Sequence, residues 1–199
     1  MGCFYSINMR RINFNDDIFF GNYRIVMEGK LLTYGTYKFK NGYKYTGSFF
    51  NNKYNGEGKL ENGSFIAKGN WNNNKLNGKC YLKISDKIIY TGDFKDGIPN
   101  GIISISIYNY SYFGEISNNK LEGFGVIRYK GETLYVGKWK NNKPYHHGKY
   151  YEDNNIFKVK IHEDQMIMDN GEEIKISLVI GFFKLIPFPI EFPVPDINK

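Results

Sequence analysis

Three histidines and one nearby aspartate are the side chains best suited by type to bind a metal ion. His146 and His147 are adjacent in sequence. His162 lies two residues before Asp164. Structural and catalytic zinc sites use ligand spacings that these four residues do not reproduce. The sequence also has no nucleophile-elbow motif, no phosphate-binding loop and no paired cysteine motif. We therefore expect no catalytic site, no metal and no cofactor.

The first six residues, MGCFYS, offer a different chemistry. They fit M-G-x-x-x-[ST], the acceptor pattern for N-myristoylation at Gly2, with Ser6 in the last position. A single myristoyl chain binds membranes only weakly, so stable anchoring needs a second acyl chain or a basic patch. Cys3 is a candidate palmitoylation site, and Arg10 and Arg11 are basic. The alternative is an ordinary start methionine followed by a small residue.

A repeat dominates the rest of the chain and must position any binding surface. Segments with the pattern aromatic-x-Gly-x-aromatic, or a close variant, begin at residues 45, 67, 90, 112 and 135, at spacings of 22, 23, 22 and 23 residues. A second pair of positions follows each start by eleven and thirteen residues, as Gly56 and Gly58 do in the first unit. A fixed period of this length indicates a solenoid or an array.

Each unit is predicted to be a β-hairpin. The aromatic run forms one strand, the G-x-G side forms the returning strand, and the Asn-rich segments between them are connectors, such as NNKYN at 51–55. An isolated hairpin is marginally stable in water. We therefore predict an all-β protein: an elongated, single-layer, twisted antiparallel sheet built from repeated β-hairpins.

A glycine between two aromatic residues weakens a strand and needs a reason. In the first unit Tyr45, Gly47 and Phe49 fall on one face of the strand. We expect the glycine to make space for a neighbouring ring, and direct contact between glycine and a ligand is the alternative. The repeat-structural glycines are Gly47, Gly56, Gly58, Gly69, Gly78, Gly92, Gly101, Gly114, Gly123, Gly125, Gly137 and Gly148.

The pattern Y-x-G-x-W followed at a fixed distance by G-x-G resembles the MORN (membrane occupation and recognition nexus) repeat family, over about residues 45–150. Residues 19–44 resemble a degenerate further unit. The departures from the pattern are Ala67 for the leading tyrosine, Ile116 for the second aromatic, Cys80 and Ile103 for the second glycine, and His146 for the first.

The resemblance implies a non-enzymatic scaffold. Relatives hold a helix or an extended peptide of a protein partner in the groove of the twisted sheet, or dimerise through terminal repeats. Such a protein would link a membrane to the cytoskeleton or to a membrane complex. The partner-binding residues would be Tyr45, Phe49, Trp71, Tyr90, Phe94, Tyr112, Tyr135 and Trp139.

Three segments divide the chain in this interpretation. They are an acylated N-terminal segment (1–18), the repeat array (19–161, with the degenerate unit 19–44, five units 45–150 and a capping strand 151–161) and a Pro-rich apolar tail (162–199). Between residues 187 and 195 the tail alternates proline with apolar residues, which rules out normal pairing inside a sheet. We expect it to lie back across the aromatic face, because exposed apolar side chains are costly. Docking on a partner and a loose tail are the alternatives.

Charge separates the repeats from the tail. Residues 44–150 carry a net charge of +8 and residues 151–199 carry −4. The basic repeats suit either an anionic membrane surface or a solvated sheet face. A direct anionic-phospholipid-binding module is therefore an alternative function, and a regulatory subunit of an enzyme is another. Nucleic acid is not an expected partner, because no recognised binding motif occurs.

Targeting features indicate the cytosolic face of a membrane. No secretory signal peptide is visible, and the most apolar stretch, 176–190, is too short to span a bilayer and is broken by Lys184 and two prolines. Two cysteines suggest no disulfide framework. We expect a peripheral protein held by its acyl chains at the plasma membrane or a pellicle-like membrane.

Overall fold

The fold is one long antiparallel sheet. The computed structural model describes residues 9–14, 17–25, 31–162, 165–174 and 192–193. Within these residues sixteen strands follow one another across the sheet in sequence order, and each is antiparallel to its neighbours. The predicted all-β sheet of consecutive hairpins is therefore confirmed.

The strands are β1 (Met9–Phe14), β2 (Asp17–Ile25), β3 (Leu31–Lys38), β4 (Lys44–Phe50), β5 (Lys53–Asn62), β6 (Phe65–Asn72), β7 (Lys75–Ser85), β8 (Ile88–Lys95), β9 (Ile98–Ile107), β10 (Tyr110–Ser117), β11 (Lys120–Tyr129), β12 (Glu132–Lys140), β13 (Lys143–Glu152), β14 (Asn155–His162), β15 (Gln165–Met168) and β16 (Glu173–Ile174).

The turns inside the repeats are two residues long, shorter than the predicted connectors. In the first unit Asn51 and Asn52 have φ angles of 45° and 60°. Positive φ at both positions is the type I′ geometry that matches the twist of a hairpin, and asparagine adopts it more readily than most residues. The remaining connector residues therefore belong to the returning strand, where Tyr54 is buried.

Asparagines also join one turn to the preceding repeat. The backbone N–H of Asn74 donates to the Tyr54 carbonyl at 3.1 Å, and the Asn74 side-chain oxygen accepts from the Tyr54 N–H at 2.7 Å. Asn142 and Leu121 make the same pair of bonds. Each such asparagine links two neighbouring hairpins by hydrogen bonds at the ends of their strands.

Every repeat contains a β-bulge directly after its first glycine. The register between the two strands of the hairpin shifts after Gly47, Gly69, Gly92, Gly114 and Gly137. Bulges bend a strand and increase its twist. Their recurrence at one position in each unit gives the array a regular curvature.

The sheet extends beyond the predicted array at both ends. β1 lies inside the segment 1–18, and β15 and β16 lie inside the predicted tail 162–199. The predicted capping strand 151–161 is divided, because Asp153 and Asn154 both have positive φ and form a turn before β14. In the degenerate unit, Gly21 pairs with Gly35 across β2 and β3 as Gly47 pairs with Gly58 across β4 and β5.

Candidate functional site

The eight aromatic residues predicted to bind a partner share one face of the sheet, the aromatic face. Each lies on the first strand of a repeat unit, on β4, β6, β8, β10 or β12. All eight are buried, with 0–3% of their surface exposed. The rings therefore form a packed layer and do not protrude as isolated side chains.

Three leading tyrosines, Tyr45, Tyr112 and Tyr135, lie flat over pairs of glycines. In the third unit Ile103 stands opposite Gly92, so Tyr90 has no such pair. A Cβ atom added to Gly58 would collide with the Tyr45 ring, and one added to Gly125 would collide with the Tyr112 ring. Gly148 stands in the same relation to Tyr135. This packing buries a ring against a single-layer sheet without a second sheet, because the ring fills the volume that a side chain would take.

The two glycines of G-x-G have different roles. The first has positive φ in each unit that keeps it, as at Gly78 (69°) and Gly123 (61°). That backbone conformation strains residues with a Cβ. In the last unit His146 occupies this position with φ 62°.

The second repeat lacks both the leading tyrosine and the second glycine. Ala67 replaces the leading tyrosine there, so no ring needs space over the returning strand. Cys80 occupies the vacant volume and is buried. A Cβ added to Gly69 would lie 2.7 Å from the Cys80 Sγ. The two departures from the pattern compensate for each other.

Several aromatic rings pack closely together around β4, β5 and β6. The Tyr45 and Tyr54 rings are stacked with centroids 3.8 Å apart. Trp71 meets both rings edge-on, at 5.8 Å from Tyr45 and 5.2 Å from Tyr54. Its indole N–H donates to the Gly58 carbonyl at 3.1 Å. This hydrogen bond and the two ring contacts fix the orientation of the indole, which is buried.

Sequence reasoning missed the aromatic-face residues that follow each two-residue turn. They were assigned to the connectors, although an apolar residue recurs there in every unit and was the available signal. All five are buried: Tyr54, Leu76, Pro99, Leu121 and Pro144.

Part of the C-terminal tail lies on this dense region. The Phe192 ring is 5.2 Å from the Trp71 ring, edge-on, and 6.2 Å from the Phe65 ring. The Tyr54 hydroxyl donates a hydrogen bond of 2.9 Å to the Pro193 carbonyl. The prediction that the tail lies back on the aromatic face is confirmed for these two residues. The other tail residues from 175 onward lie outside the described residues.

The opposite, outer face carries lysines together with exposed aromatic side chains such as Phe113. Lys149 and Lys158 are cross-strand partners on β13 and β14. Nearby, the Lys138 ammonium lies 5.4 Å from the centre of the Phe124 ring, which is 61% exposed. Some charges are paired: the Lys79 ammonium lies 2.8 Å from an Asp93 carboxylate oxygen. The lysine holds the pKa of that carboxyl below its usual value.

The histidines do not form a metal site among the described residues. His146, His147 and His162 line one cleft near β14, together with Lys160. In the described ranges no group of three or more His, Cys, Asp or Glu side chains is placed to hold an ion. Asp164, the fourth candidate ligand, lies outside the described residues.

The predicted acylation sites Gly2 and Cys3 lie outside the described residues. Within the part of the chain that is described, no helix is both long and apolar enough to cross a bilayer. The N-terminal interpretation therefore stays a prediction from the sequence.

The repeat geometry agrees with comparisons to known proteins. The MORN repeat family model matches residues 45–64, 68–86, 90–102, 112–132 and 135–155. No curated protein matches the chain. MORN repeats suggest a scaffold role in membrane or protein interaction, and the family is generally non-enzymatic. The chain belongs to the MORN repeat family and carries five of its repeats between residues 45 and 155.

Proposed function

We propose that this protein is a non-enzymatic, membrane-anchored scaffold that binds an extended apolar segment of a protein partner on its aromatic face. The proposal rests on one observation: Phe192 packs against Trp71, and Pro193 accepts a hydrogen bond from Tyr54. A peptide segment thus binds the aromatic face through one aromatic side chain, which packs against other rings, and one backbone carbonyl, which accepts a hydrogen bond from a hydroxyl. Aromatic-lined surfaces bind proline-containing segments in this way.

The rigidity of the face also supports the proposal. The rings lie over glycines, and the Trp71 and Trp139 indoles donate to backbone carbonyls at 3.1 and 3.2 Å. A preorganised surface loses little side-chain entropy when a ligand binds. An apolar segment can therefore bind this face at a low entropic cost to the protein.

The face of the sheet that binds the partner can be identified by cross-linking from two positions on the same strand. Tyr110 is half-buried on the aromatic-face side of β10, and Phe113 is 53% exposed on its outer side. We expect a photo-crosslinking amino acid at 110 to capture one discrete partner in cells, identified by mass spectrometry, and the same residue at 113 to capture none. Equal capture from both positions would contradict the assignment.

Membrane anchoring is proposed to use acyl chains at Gly2 and Cys3. We expect Gly2→Ala to lose both a myristate-analogue label and the membrane fraction. Cys3→Ser should keep the label and bind membranes more weakly, because one acyl chain anchors only reversibly. A Gly2→Ala protein that stays on the membrane would instead place anchoring in the repeats or in a bound partner.

Direct binding of anionic phospholipid is a second candidate, favoured by the Lys149–Lys158 pair on the outer face. Like charges directly opposite each other are unfavourable in a sheet, and an anionic surface would relieve them. Unacylated protein would then bind phosphatidylserine vesicles with a steep salt dependence. The double variant Lys149→Gln/Lys158→Gln should lose that binding, whereas Lys79→Gln, whose lysine is paired with Asp93, should not.

A further inference from the structure

We propose that Tyr54, Phe65 and Trp71 form a binding subsite for an extended Phe-Pro segment, which we call the Phe-Pro subsite, and that the chain's own Phe192–Pro193 occupies it. A partner segment of the same class must then displace the tail. The displacement step rests on the proposed function, whereas occupation by the tail does not.

The contacts define what the subsite recognises. Phe192 packs edge-on against Trp71 and is tilted against Phe65. The Tyr54 hydroxyl donates to the carbonyl of Pro193, the residue after the ring. Both elements of a Phe-Pro dipeptide are therefore engaged, the side chain by apolar contact and the backbone by a hydrogen bond.

Proline suits such a site for two reasons. Its fixed φ keeps the segment extended and reduces the entropy lost on binding. It also has no N–H that would be buried without an acceptor against a face of rings. The tail contains the dipeptide twice, at 188–189 and 192–193, with the acidic Glu191 between them.

The subsite occurs once among the five repeats. Its hydroxyl donor stands at the second position after the two-residue turn. Tyr54 occupies this position in the first unit, and the later units have Leu76, Pro99, Leu121 and Pro144 there. Only the first of these five side chains can donate a hydrogen bond. This difference specifies the place at which Phe192–Pro193 docks on an otherwise repetitive face.

The length of the chain permits this contact within one molecule. Ten strand spacings of ~4.8 Å, about 48 Å, separate β16 from β6. From Ile174 to Phe192 the chain can extend by ~3.5 Å per residue, about 60 Å. A tethered segment competes at an effective concentration on the order of millimolar. A free ligand can therefore displace the tail only if its concentration is comparable or if it binds the subsite much more tightly than the tail does.

Tail occupation can be tested with the two tryptophans. Trp71 touches Phe192, and Trp139 is its counterpart in the last repeat. Full-length protein carrying Trp139→Phe reports on Trp71 alone, and full-length protein carrying Trp71→Phe reports on Trp139 alone. In the first background we expect Phe192→Ala to raise the acrylamide quenching constant at least twofold. In the second it should leave the constant unchanged. No rise at Trp71, or an equal rise at Trp139, would overturn the proposal.

Ligand class can be tested with a fluorescent peptide of residues 187–196, PFPIEFPVPD. We expect it to bind the full-length Phe192→Ala protein at least tenfold more tightly than the wild type, because the subsite is vacated. Adding Tyr54→Phe should weaken that binding several-fold, because the hydrogen bond from the Tyr54 hydroxyl to the peptide carbonyl is lost. Equal affinity for wild type and Phe192→Ala would refute displacement.

These measurements separate the two proposals, because neither uses a cellular partner. If the tail vacates the subsite and the peptide binds, but position 110 captures nothing in cells, the Phe-Pro subsite stands and the scaffold function falls. If position 110 captures a partner while Trp71 does not respond to Phe192→Ala, the scaffold stands and occupation by the tail is wrong.

Discussion

The hydroxyls of Tyr45, Tyr112 and Tyr135 differ although their rings pack alike over glycines. Tyr112 donates to the Glu115 carbonyl at 2.8 Å, and Tyr45 makes the corresponding bond to Ser48 at 3.0 Å. The Tyr135 hydroxyl is buried and has no hydrogen-bond partner within the described structure. The rings of these three tyrosines are thus buried alike, and the hydroxyl makes a hydrogen bond in only two of the three.

A matched pair of substitutions tests this difference. We expect Tyr112→Phe to lower the free energy of unfolding by about 1 kcal/mol, the net value of a typical hydrogen bond. Tyr135→Phe should be neutral or slightly stabilising, because it removes a buried polar atom that nothing satisfies. Urea denaturation at pH 7 measures both. Equal losses would show that the two hydroxyls have the same environment.

His146 is strained by its place in the bulge. Its φ of 62° matches the glycines that other repeats use there. We expect His146→Gly to raise the free energy of unfolding by about 1 kcal/mol, because a left-handed residue with a Cβ costs roughly 1–2 kcal/mol and glycine recovers only part of this.

Gly78→Ala is the reverse experiment for His146→Gly. A Cβ at Gly78 would meet no atom within 4 Å, so the substitution introduces only the strain of positive φ. It should lower the midpoint of thermal unfolding while His146→Gly raises it. A stabilising Gly78→Ala would disprove the backbone explanation for both.

At the scale of the hairpin, the asparagine turns bind neighbouring repeats unequally. Asn142 accepts from the Leu121 N–H at 2.7 Å. Asn119 stands in the same position one repeat earlier, but its partner there is Pro99, which has no N–H, and the Asn119 side-chain oxygen is buried without a partner. The same residue type thus stabilises one junction and is penalised at the other.

Replacement by glycine isolates that hydrogen bond, since glycine tolerates the positive φ of both positions (66° at Asn142 and 61° at Asn119). We expect Asn142→Gly to lower the free energy of unfolding by about 1 kcal/mol more than Asn119→Gly does. Denaturant titration of the two variants is sufficient. If the two values agree, the side-chain bond contributes nothing to the junction.

The sequence was sufficient for the period, the hairpins and the packing of rings over glycines, because these depend on residues that recur in every unit. It was not sufficient for the turns. Asparagine and lysine are common in loops of any length. The connectors were therefore predicted too long, and Tyr54 was assigned to a connector instead of to a strand. The hydrogen bonds of the asparagines could not be predicted, because they join residues about twenty positions apart. Docking at Tyr54 depends on one hydroxyl, which no repeat pattern reveals.

At the scale of the whole molecule, the sheet is a linear array in which each strand pairs only with its neighbours. Stability in such arrays is close to a sum over units and their interfaces. The hydrogen bond from Tyr54 to Pro193 spans 139 residues and is a connection of a different kind. Through it, occupation of the first full repeat depends on a segment that follows the last strand of the array.

We expect the folded array to lose stability at alkaline pH. Burial raises the pKa of Tyr45, Tyr90, Tyr112 and Tyr135 well above the ordinary tyrosine value of about 10. Above pH 10 the unfolded chain loses these protons while the folded chain keeps them. The free energy of unfolding must then fall as pH rises, by ~1.4 kcal/mol per pH unit for each tyrosine. At neutral pH their full contribution is present.

Tyr135→Phe measures this linkage most cleanly, because it should cost nothing at pH 7. Between pH 10 and 12 we expect its free energy of unfolding to fall less steeply than that of the wild type, by ~1.4 kcal/mol per pH unit, the contribution of one proton. Urea titrations at each pH, with tyrosinate absorbance followed on the same samples, give both quantities. Parallel curves for wild type and variant would mean that Tyr135 ionises without unfolding the array. The shared rise in pKa would then not arise from burial against the sheet, and the rings would be more accessible to a partner than their packing over glycine implies.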